Sequence, residues 1–570
     1  MLSPNLKFDK LFLLPASAPP LFILWQIRSS GSLPDNDYWT YLSTILDAGG
    51  FTSHLNLWLS PSANEHIVLL PKMFYALNVW LSGGDNRMLG AFAFLFAAGQ
   101  AGLLYRFAKR GFSREERPLA LLTISIFVFT PRAVHNWMMG MSGVAWIGAN
   151  LCAIAAFYLL LRHRPVSACL MATIGIFTYS TALAIWPAMV VGAWLSGQSW
   201  RKVAFILALG IFAIGLYLHQ YHTPSHHPAL QHDPATILKY VLIFVGGLSV
   251  NILPHAGWLG GVAIGIGGLL WLLTLKSEPP LRAAAAPWVM LQAYGLCNGV
   301  MAAIARSGFG LEQALSSRYA SLPALFWLGL TFTAWLHLRS TPSFSRTSTP
   351  LIATCVLLLG AGAWTSSRPA TLHFMHRSAL KPLALVSLYT GAFDYPLLHK
   401  AVTPVVNGPR QRNTLEHFMA ILKANGHVPF DGTFAACPEM GERIEPGATP
   451  LSDGRIRGGF DQARRLFPKT VKVHGWAYSR AGEIRCIALT NQDGIVRGIA
   501  IGGFPRPDVA RHLRIEETAS GWEGYARIQP GDLWLRAWAR IGDTWHPLNR
   551  TLPVPPPARE NSNSEVTHTE

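Results

Sequence analysis

The stretch GSLPDNDYWTYLSTILDAGG, residues 31–50, follows the first apolar run and sets the orientation of the rest of the chain. It contains DNDYW at residues 35–39, and the same segment continues to NEHIVLLPK at residues 64–72. Residues 29–71 include four acidic residues and no Lys or Arg. Because Lys and Arg near membrane spans mark the cytoplasmic side, this segment is predicted to lie on the opposite face of a membrane.

The composition is typical of a polytopic membrane protein, since half of the 570 residues are hydrophobic and only 14% are charged. Apolar runs of about 15 to 20 residues, near the length that crosses a bilayer, recur from Leu11 to Ser366. The chain after Arg368 has fewer such runs and more charge. The net charge is +17, but the basic residues of the membrane half lie in short loops rather than in one stripe with aromatic residues. Nucleic acid is therefore not expected as a partner.

Charge placement decides which apolar runs are predicted to cross. The segment at residues 106–117 is rich in Lys and Arg and is predicted to be cytoplasmic. Only one span can then separate it from the acidic outer segment, so residues 66–82 are predicted to form an interfacial helix on the outer surface. Residues 237–253 are likewise predicted to form an interfacial helix on the outer surface. The remaining spans of the transmembrane domain, residues 1–366, are predicted at 11–27, 88–105, 118–132, 143–161, 166–180, 181–197, 203–221, 257–275, 284–303, 321–338 and 350–366.

About eleven spans place the N-terminus in the cytoplasm and the C-terminal part outside it. Residues 367–427 are predicted to be an extracytoplasmic helical connector. In residues 428–550, short β-like runs such as VKVHGWAYS and DLWLRAWARI alternate with turn signals such as NQDG, which predicts a β-sandwich domain. In an extracytoplasmic domain Cys437 and Cys486 could form a disulfide. Residues 551–570 are predicted to be a disordered tail.

The acidic motif supplies the candidate catalytic residues. A carboxylate at the membrane surface is suited to act as a general base, and the aromatic residues after DND suit a membrane interface. Asp37 is the first candidate and Asp35 the alternate. A solvated turn is the competing interpretation of DND, and the sequence leaves both open.

Basic residues in outer segments are candidate ligands for a phosphate. Arg306 and Arg318 lie in ARSGFGLEQALSSRYA, on the side where the positive-inside rule does not require them. Two guanidinium groups could bind a phosphate or pyrophosphate bidentately. Lys72 could either meet a lipid phosphate or extend its ammonium to the membrane surface. The other candidate substrate-binding residues are Glu65, His66, Arg132 and Tyr319.

A divalent metal is the one cofactor that the sequence leaves open. The candidate ligands are His54, Glu65 and His66, or the cluster His222, His226, His227 and His232. Neither group has the tight spacing of a metal-binding motif, and solvent-exposed loop histidines are the competing interpretation. No P-loop, dinucleotide fingerprint, G-x-S-x-G or kinase signature occurs in the sequence, so a soluble nucleotide is not expected as a direct cofactor.

The order of these features resembles the GT-C class of polytopic glycosyltransferases, which includes lipid A aminoarabinose transferases and protein O-mannosyltransferases. In that class a first span leads to an outer loop with an acidic motif, to which DNDYW corresponds. A juxtamembrane helix follows, to which NEHIVLLPKMFYALNVWLSGGDN corresponds. The resemblance covers about residues 1–120, and it implies roles for Asp35, Asp37, Glu65 and Lys72. The acidic motif is DND rather than an Asp-Glu pair, and the helix has one Pro in place of two.

The resemblance implies an inverting transferase of a bacterial inner membrane, with its C-terminal domain in the periplasm. Its expected partners are a polyprenyl-phosphate sugar donor, an acceptor that is a cell-envelope glycan, lipopolysaccharide or lipid, and the membrane lipids. Two other classes remain open, a transporter or flippase of lipid-linked saccharides and a non-catalytic glycan-binding scaffold. The β domain could bind an acceptor glycan through Trp476 or Trp522, or these side chains could belong to its core.

Overall fold

A computed structural model describes residues 5–60, 66–219, 221, 227–402, 409–445 and 456–556. The α-helices in these ranges are α1 (Asn5–Ser29), α2 (Tyr38–Ile45), α3 (Leu55–Leu59), α4 (Leu69–Ser82), α5 (Asn86–Gly111), α6 (Arg117–Val128), α7 (Val134–Met138), α8 (Gly140–Leu160), α9 (Pro165–Ile176), α10 (Ile185–Leu195), α11 (Trp200–His219), α12 (Pro234–Gly246), α13 (Leu253–Lys276), α14 (Pro279–Arg306), α15 (Ser321–Ser340), α16 (Ser348–Thr390), α17 (Tyr395–Val402), α18 (Pro409–Ala424) and α19 (Pro507–Leu513). The strands are β1 (Leu46–Asp47), β2 (Gly50–Phe51), β3 (Ile456–Phe467), β4 (Thr470–Ser479), β5 (Ile484–Thr490), β6 (Val496–Phe504), β7 (Gly521–Arg527), β8 (Trp534–Ile541) and β9 (Thr544–Pro553).

Eight helical segments of the described chain are long and apolar enough to cross a membrane. They are α5, the run from α6 to α7, α8, α11, α13, α14, α15 and α16. The predicted helical fold with several membrane-length apolar helices is confirmed, whereas the count of about eleven spans is not. Two of the predicted spans, 166–180 and 181–197, overlap the shorter helical segments Pro165–Ile176 and Ser180–Leu195. The 12 residues of the first would extend only about 18 Å, less than the roughly 30 Å of a bilayer core.

Helix α4 occupies the segment that the charge argument places on the membrane surface. Its 14 residues would extend about 21 Å, too short to cross a hydrocarbon core of about 30 Å. Met73, Leu77 and Trp80 are exposed, and their spacing places them on one side of the helix. Tyr75 and Asn78 are buried. An apolar exposed stripe on a short helix is the arrangement expected of an interfacial helix.

Helix α16 joins the membrane part to the C-terminal part. It has 43 residues, about 65 Å at 1.5 Å per residue, so it continues as one helix well beyond the predicted span at 350–366. Its C-terminal half packs against β6 and β7. The region predicted as a helical connector therefore begins as the second half of a membrane helix and continues through α17 and α18.

The C-terminal domain is a closed barrel of seven strands in the order β3-β4-β7-β6-β5-β8-β9. The predicted β-sandwich is therefore wrong in its topology. Parallel pairing of Gly459 with Asn549 joins the first and last strands, and sandwiches and barrels share the same alternation of inward and outward residues along a strand. Val473, Trp522 and Leu535 belong to the apolar core of the barrel.

Cys437 and Cys486 form a disulfide, with their Cα atoms 5.4 Å apart. This bond joins the segment after α18 to β5, so it fixes that segment against the barrel. The predicted disordered tail begins within β9, which ends at Pro553, and residues 557–570 lie outside the described part of the chain.

His427 joins the outer loop of the membrane part to the segment after α18. Its side chain is fully buried. Its Nδ1–H donates to the carbonyl of Val428 at 2.8 Å, which leaves Nε2 to accept from the Tyr38 hydroxyl at 3.0 Å. A Cβ at Gly84, where φ is +85°, would lie 2.1 Å from the His427 ring. The site therefore holds a neutral imidazole and requires glycine beside it.

Acidification is expected to destabilise the folded protein through His427. Burial lowers the pKa of its imidazole to about 4 from an ordinary value of 6.5. Unfolded chains bind this proton near pH 6.5, whereas the folded chain does not until about pH 4. The stabilisation is therefore complete above pH 6.5 and is lost as the pH falls to about 4, by roughly 3 kcal/mol.

Thermal unfolding in detergent between about pH 7 and pH 4 would measure this loss. The matched variant is His427→Gln, because its amide can still accept a hydrogen bond and does not titrate. The melting temperature of the wild type should fall more steeply with acidification than that of the variant. Equal slopes would contradict the assignment.

Candidate functional site

The DND motif directs its two carboxylates to different places. Asn36 has φ of 53°, and its N–H donates to the carbonyl of Val402 at 2.9 Å. Asp35, before this left-handed residue, is buried against α16. Asp37, after it, precedes α2 and lines a cavity. Of the two predicted catalytic residues, only Asp37 lies where a ligand could reach it.

Asp35 belongs to a buried ion-pair network. Its Oδ2 lies 2.7 Å from Nζ of Lys381 and its Oδ1 lies 3.0 Å from Nη2 of Arg377. Both basic residues are on α16, four positions apart, so they share one face of the helix. Asp35 therefore anchors the outer loop to α16 and does not line the cavity beside Asp37.

A polar cavity of about 300 Å³ lies beside Asp37. We call this cavity, defined by Asp37, His66, Arg306 and Arg318, the polar chamber. Further side chains that line it are Asn36, Tyr41, Tyr75, His135, Trp146, Tyr179 and His227. Its volume is at the lower end of the range of about 300 to 1,000 Å³ that is usual for ligand pockets. Four predicted site residues, two from residues 29–71 and two from residues 305–320, thus meet around one space.

The two arginines of the polar chamber have different surroundings. Arg306 ends α14, and its Nη1 lies 2.8 Å from Nδ1 of His227. The guanidinium of Arg318 lies over the ring of Tyr319, 5.0 Å from its centroid. Nε of Arg318 is buried and has no hydrogen-bond partner in the described part of the chain. Because a buried donor without a partner is costly, an anionic ligand in the chamber would lower that cost.

An aromatic cluster forms one wall of the polar chamber. The ring of Tyr179 lies 4.6 Å from the ring of His66 and 4.6 Å from that of Trp146. Nδ1 of His66 is 3.3 Å from the hydroxyl oxygen of Tyr217. The cluster fixes His66 between the chamber and α11.

An apolar cleft of about 710 Å³ lies on the other side of this wall. Its apolar lining includes Ile214, Leu218, Leu296, Val300 and Met301, from α11 and α14. Leu218 is 56% exposed and Val300 is 41% exposed, so the cleft opens at the outer surface of the helical bundle. The residues that line both spaces are His66, Trp146, Tyr179, Arg306 and Arg318. The two arginines therefore stand between an apolar cleft and a polar chamber.

Lys72 does not line the polar chamber. Its side chain is fully buried, and its Nζ donates to the carbonyls of Leu57 and Ser60, each at 2.9 Å. These carbonyls lie at the C-terminal end of α3, where a cation is favourable. Lys72 thus holds the outer loop together, and the expectation that it meets a lipid phosphate is not met in this geometry.

Arg132 is also committed to contacts within the protein. It donates to the carbonyls of Gly247 and Leu315 and to Oδ1 of Asn251. These partners come from the segments after α12 and before α15, so Arg132 joins three parts of the membrane domain. It does not line the polar chamber.

The remaining predicted site residues either do not line the polar chamber or lie outside the residues that the structure describes. Tyr319 is buried and lines the apolar cleft. His54 is exposed before α3. Glu65, His222 and His226 lie outside the described residues, and His232 is exposed. Within the described ranges, no group of three or more His, Cys, Asp and Glu side chains could hold a metal ion.

Sequence reasoning missed the aromatic wall and the anchor of Asp35. Tyr179 and Trp146 lie in apolar runs and carry no local signal of a site. Arg377 and Lys381 do carry one, because two basic residues four positions apart follow a predicted outward span. The positive-inside argument that selected Arg306 and Arg318 applies equally to this pair.

The fold and the site together define a helical membrane protein with a C-terminal β-barrel domain and a polar chamber beside an apolar cleft. No known protein family matches the chain, and a search of curated proteins finds no significant match.

Proposed function

We propose that the protein is a membrane glycosyltransferase that moves a sugar from a polyprenyl phosphate to an acceptor hydroxyl. The observation that supports this most directly is that Arg306 and Arg318 line both the apolar cleft and the polar chamber. A polyprenyl-phosphate sugar has the same three parts, an apolar chain, a charged phosphate and a polar sugar. In the proposed complex these parts occupy the cleft, the arginines and the chamber, respectively.

In the proposed reaction Asp37 acts as the general base. It takes the proton of the acceptor hydroxyl as that oxygen forms a bond to the anomeric carbon. The bond between this carbon and the phosphate oxygen breaks, and its electron pair leaves with the phosphate. Arg306 and Arg318 stabilise the charge on the departing phosphate through charge-assisted hydrogen bonds. A single direct displacement of this kind inverts the configuration of the sugar.

We further propose that the reaction takes place on the outer face of a bacterial inner membrane. The acidic outer loop supports this orientation, and the disulfide between Cys437 and Cys486 suits an oxidising compartment. The N-terminus is then cytoplasmic and the barrel is periplasmic. The acceptor is a cell-envelope glycan or lipid.

The proposal can be tested with purified protein in liposomes that contain a radiolabelled polyprenyl-phosphate sugar. Envelope glycans and envelope lipids are supplied as separate acceptor pools. Radiolabel bound to an acceptor supports a transferase. Movement of the labelled lipid to the other leaflet, without transfer to either pool, would identify a flippase and contradict the proposal.

Arg318→Lys is expected to raise the KM for the donor by about tenfold to a hundredfold. Lysine retains the charge but cannot form the planar, two-pronged contact of a guanidinium with phosphate, and hydrogen bonds to charged groups contribute about 1.5 to 3 kcal/mol. Kinetics with varied donor concentration measure the effect. Arg480→Lys is the matched control, because Arg480 is exposed in a loop of the barrel domain. An unchanged KM in the Arg318 variant would exclude Arg318 from the phosphate site.

A further inference from the structure

A second large cavity, of about 830 Å³, lies where the barrel meets α16. We call it the barrel cavity, defined by Leu385, Phe434, Arg485, Gly502 and Trp522. It shares no lining residue with the polar chamber. Nothing in the proposed chemistry uses it.

The cavity occupies an opening in the barrel wall between β5 and β6. The pairing of these strands ends at Ile487 and Ala500. Beyond that pair, β5 stays bonded to β8 and β6 stays bonded to β7. The two strands therefore diverge while each remains held on its other side. The disulfide of Cys486 fixes the segment after α18 at the edge of the opening, so the cavity is a built feature of the fold.

The chemistry of the lining suits a ligand rich in hydroxyl groups. Trp522 and Leu385 are buried and give the lining an apolar part. Glu483, Arg485 and Glu517 are exposed at the rim, where carboxylates accept hydrogen bonds and a guanidinium donates them. The chain as a whole carries a charge of +17. In this cavity, however, two carboxylates outnumber one guanidinium, so the lining disfavours an anionic ligand. A neutral saccharide has the matching donors, acceptors and apolar ring faces.

An extended peptide fits the opening less well. Strand addition requires a regular edge whose backbone groups can form a ladder. Here β5 has a register shift between Ile484 and Cys486, and β6 has one between Gly502 and Phe504. Irregularities of this kind interrupt pairing at strand edges. Both edges that face the opening are therefore poor templates for an added strand.

We propose that the barrel cavity binds a neutral oligosaccharide and that this saccharide is the acceptor of the transfer reaction; its role as acceptor rests on the proposed function. Leu385 follows Lys381 by four residues on α16, about 6 Å along the helix axis. Lys381 in turn binds Asp35, two residues before Asp37. The saccharide site is thus joined to the catalytic loop through a short, rigid stretch of one helix.

Gly502→Trp is the variant that tests the location. A Cβ at Gly502 would have only the Gly521 carbonyl oxygen within 4 Å, at 4.0 Å, so a large side chain can enter the cavity without moving the backbone. The neighbouring Gly503 has φ of +99°, so a side chain introduced there would strain the backbone. Thr551→Trp is the matched control, since Thr551 is exposed on β9 and does not line the cavity.

Binding is measured by calorimetry on the full-length protein in nanodiscs, with neutral di- to tetrasaccharides of glucose, galactose, mannose and N-acetylglucosamine as probes. We expect at least one probe to bind the wild type and the Thr551→Trp variant equally. Gly502→Trp should weaken that binding at least tenfold. In transfer assays the same variant should raise the KM for the acceptor and leave the KM for the donor unchanged.

The outcomes separate the two proposals. If no saccharide binds, or if a peptide library binds instead, the ligand class is wrong. If saccharide binding survives in Gly502→Trp, the location is wrong. If binding behaves as expected but no transfer occurs in the wild type, the saccharide site stands and the glycosyltransferase proposal and the acceptor role fail.

Discussion

Asp37→Asn is expected to lower the rate of sugar transfer by about 10²- to 10⁴-fold, the usual contribution of a general base. The amide has nearly the shape of the carboxylate but cannot take the hydroxyl proton. Asp37 is also the only one of the two DND carboxylates that lines the polar chamber. The loss should therefore appear in kcat, while the KM for the donor changes little.

Two controls make this result specific. Asp47→Asn removes an exposed carboxylate from the same outer loop, and transfer should remain at the wild-type rate. Melting temperatures of the wild type and Asp37→Asn should agree, since a folding defect would also reduce transfer. Full activity in a correctly folded Asp37→Asn protein would exclude Asp37 as the base.

Charge statistics alone selected much of the candidate site. An acidic loop on one side of a span and arginines where the positive-inside rule does not require them led to Asp37, Arg306 and Arg318. These residues then meet at one cavity. Their convergence depends on how α2, α14 and the segment before α15 pack, and no local pattern in any one of these segments contains that information.

Other parts of the sequence were ambiguous for identifiable reasons. Asp35 and Asp37 are chemically equivalent in the sequence, and the left-handed backbone of Asn36 separates their environments. Lys72 has an apolar neighbourhood that suits either a lipid surface or a buried helix cap. The β-like runs predict alternation, but closure into a barrel depends on the parallel pairing of β3 with β9. Each of these distinctions is made by tertiary contacts.

Lys381→Met is expected to destabilise the protein by about 3 kcal/mol, near the lower end of the cost of breaking a buried ion pair. Lys381 and Asp35 have side-chain exposures of 2% and 3%, and their atoms are 2.7 Å apart. Removing the ammonium leaves a buried carboxylate whose remaining ionic contact is with Arg377. Methionine fills a similar volume, so the loss reflects charge rather than a cavity. Chemical or thermal unfolding in detergent measures the change.

The double variant Asp35→Asn with Lys381→Met separates stability from positioning. Neither position of this pair then carries a buried charge. The double variant should therefore melt at a higher temperature than Lys381→Met, close to that of the wild type. If the ion pair also positions the catalytic loop, the recovered protein should still transfer sugar more slowly than the wild type, with a lower kcat and an unchanged KM for the donor. A double variant with wild-type kcat would show that the pair only stabilises the fold. A single variant as stable as the wild type would show that Arg377 alone compensates Asp35 and that the anchor of the outer loop lies elsewhere.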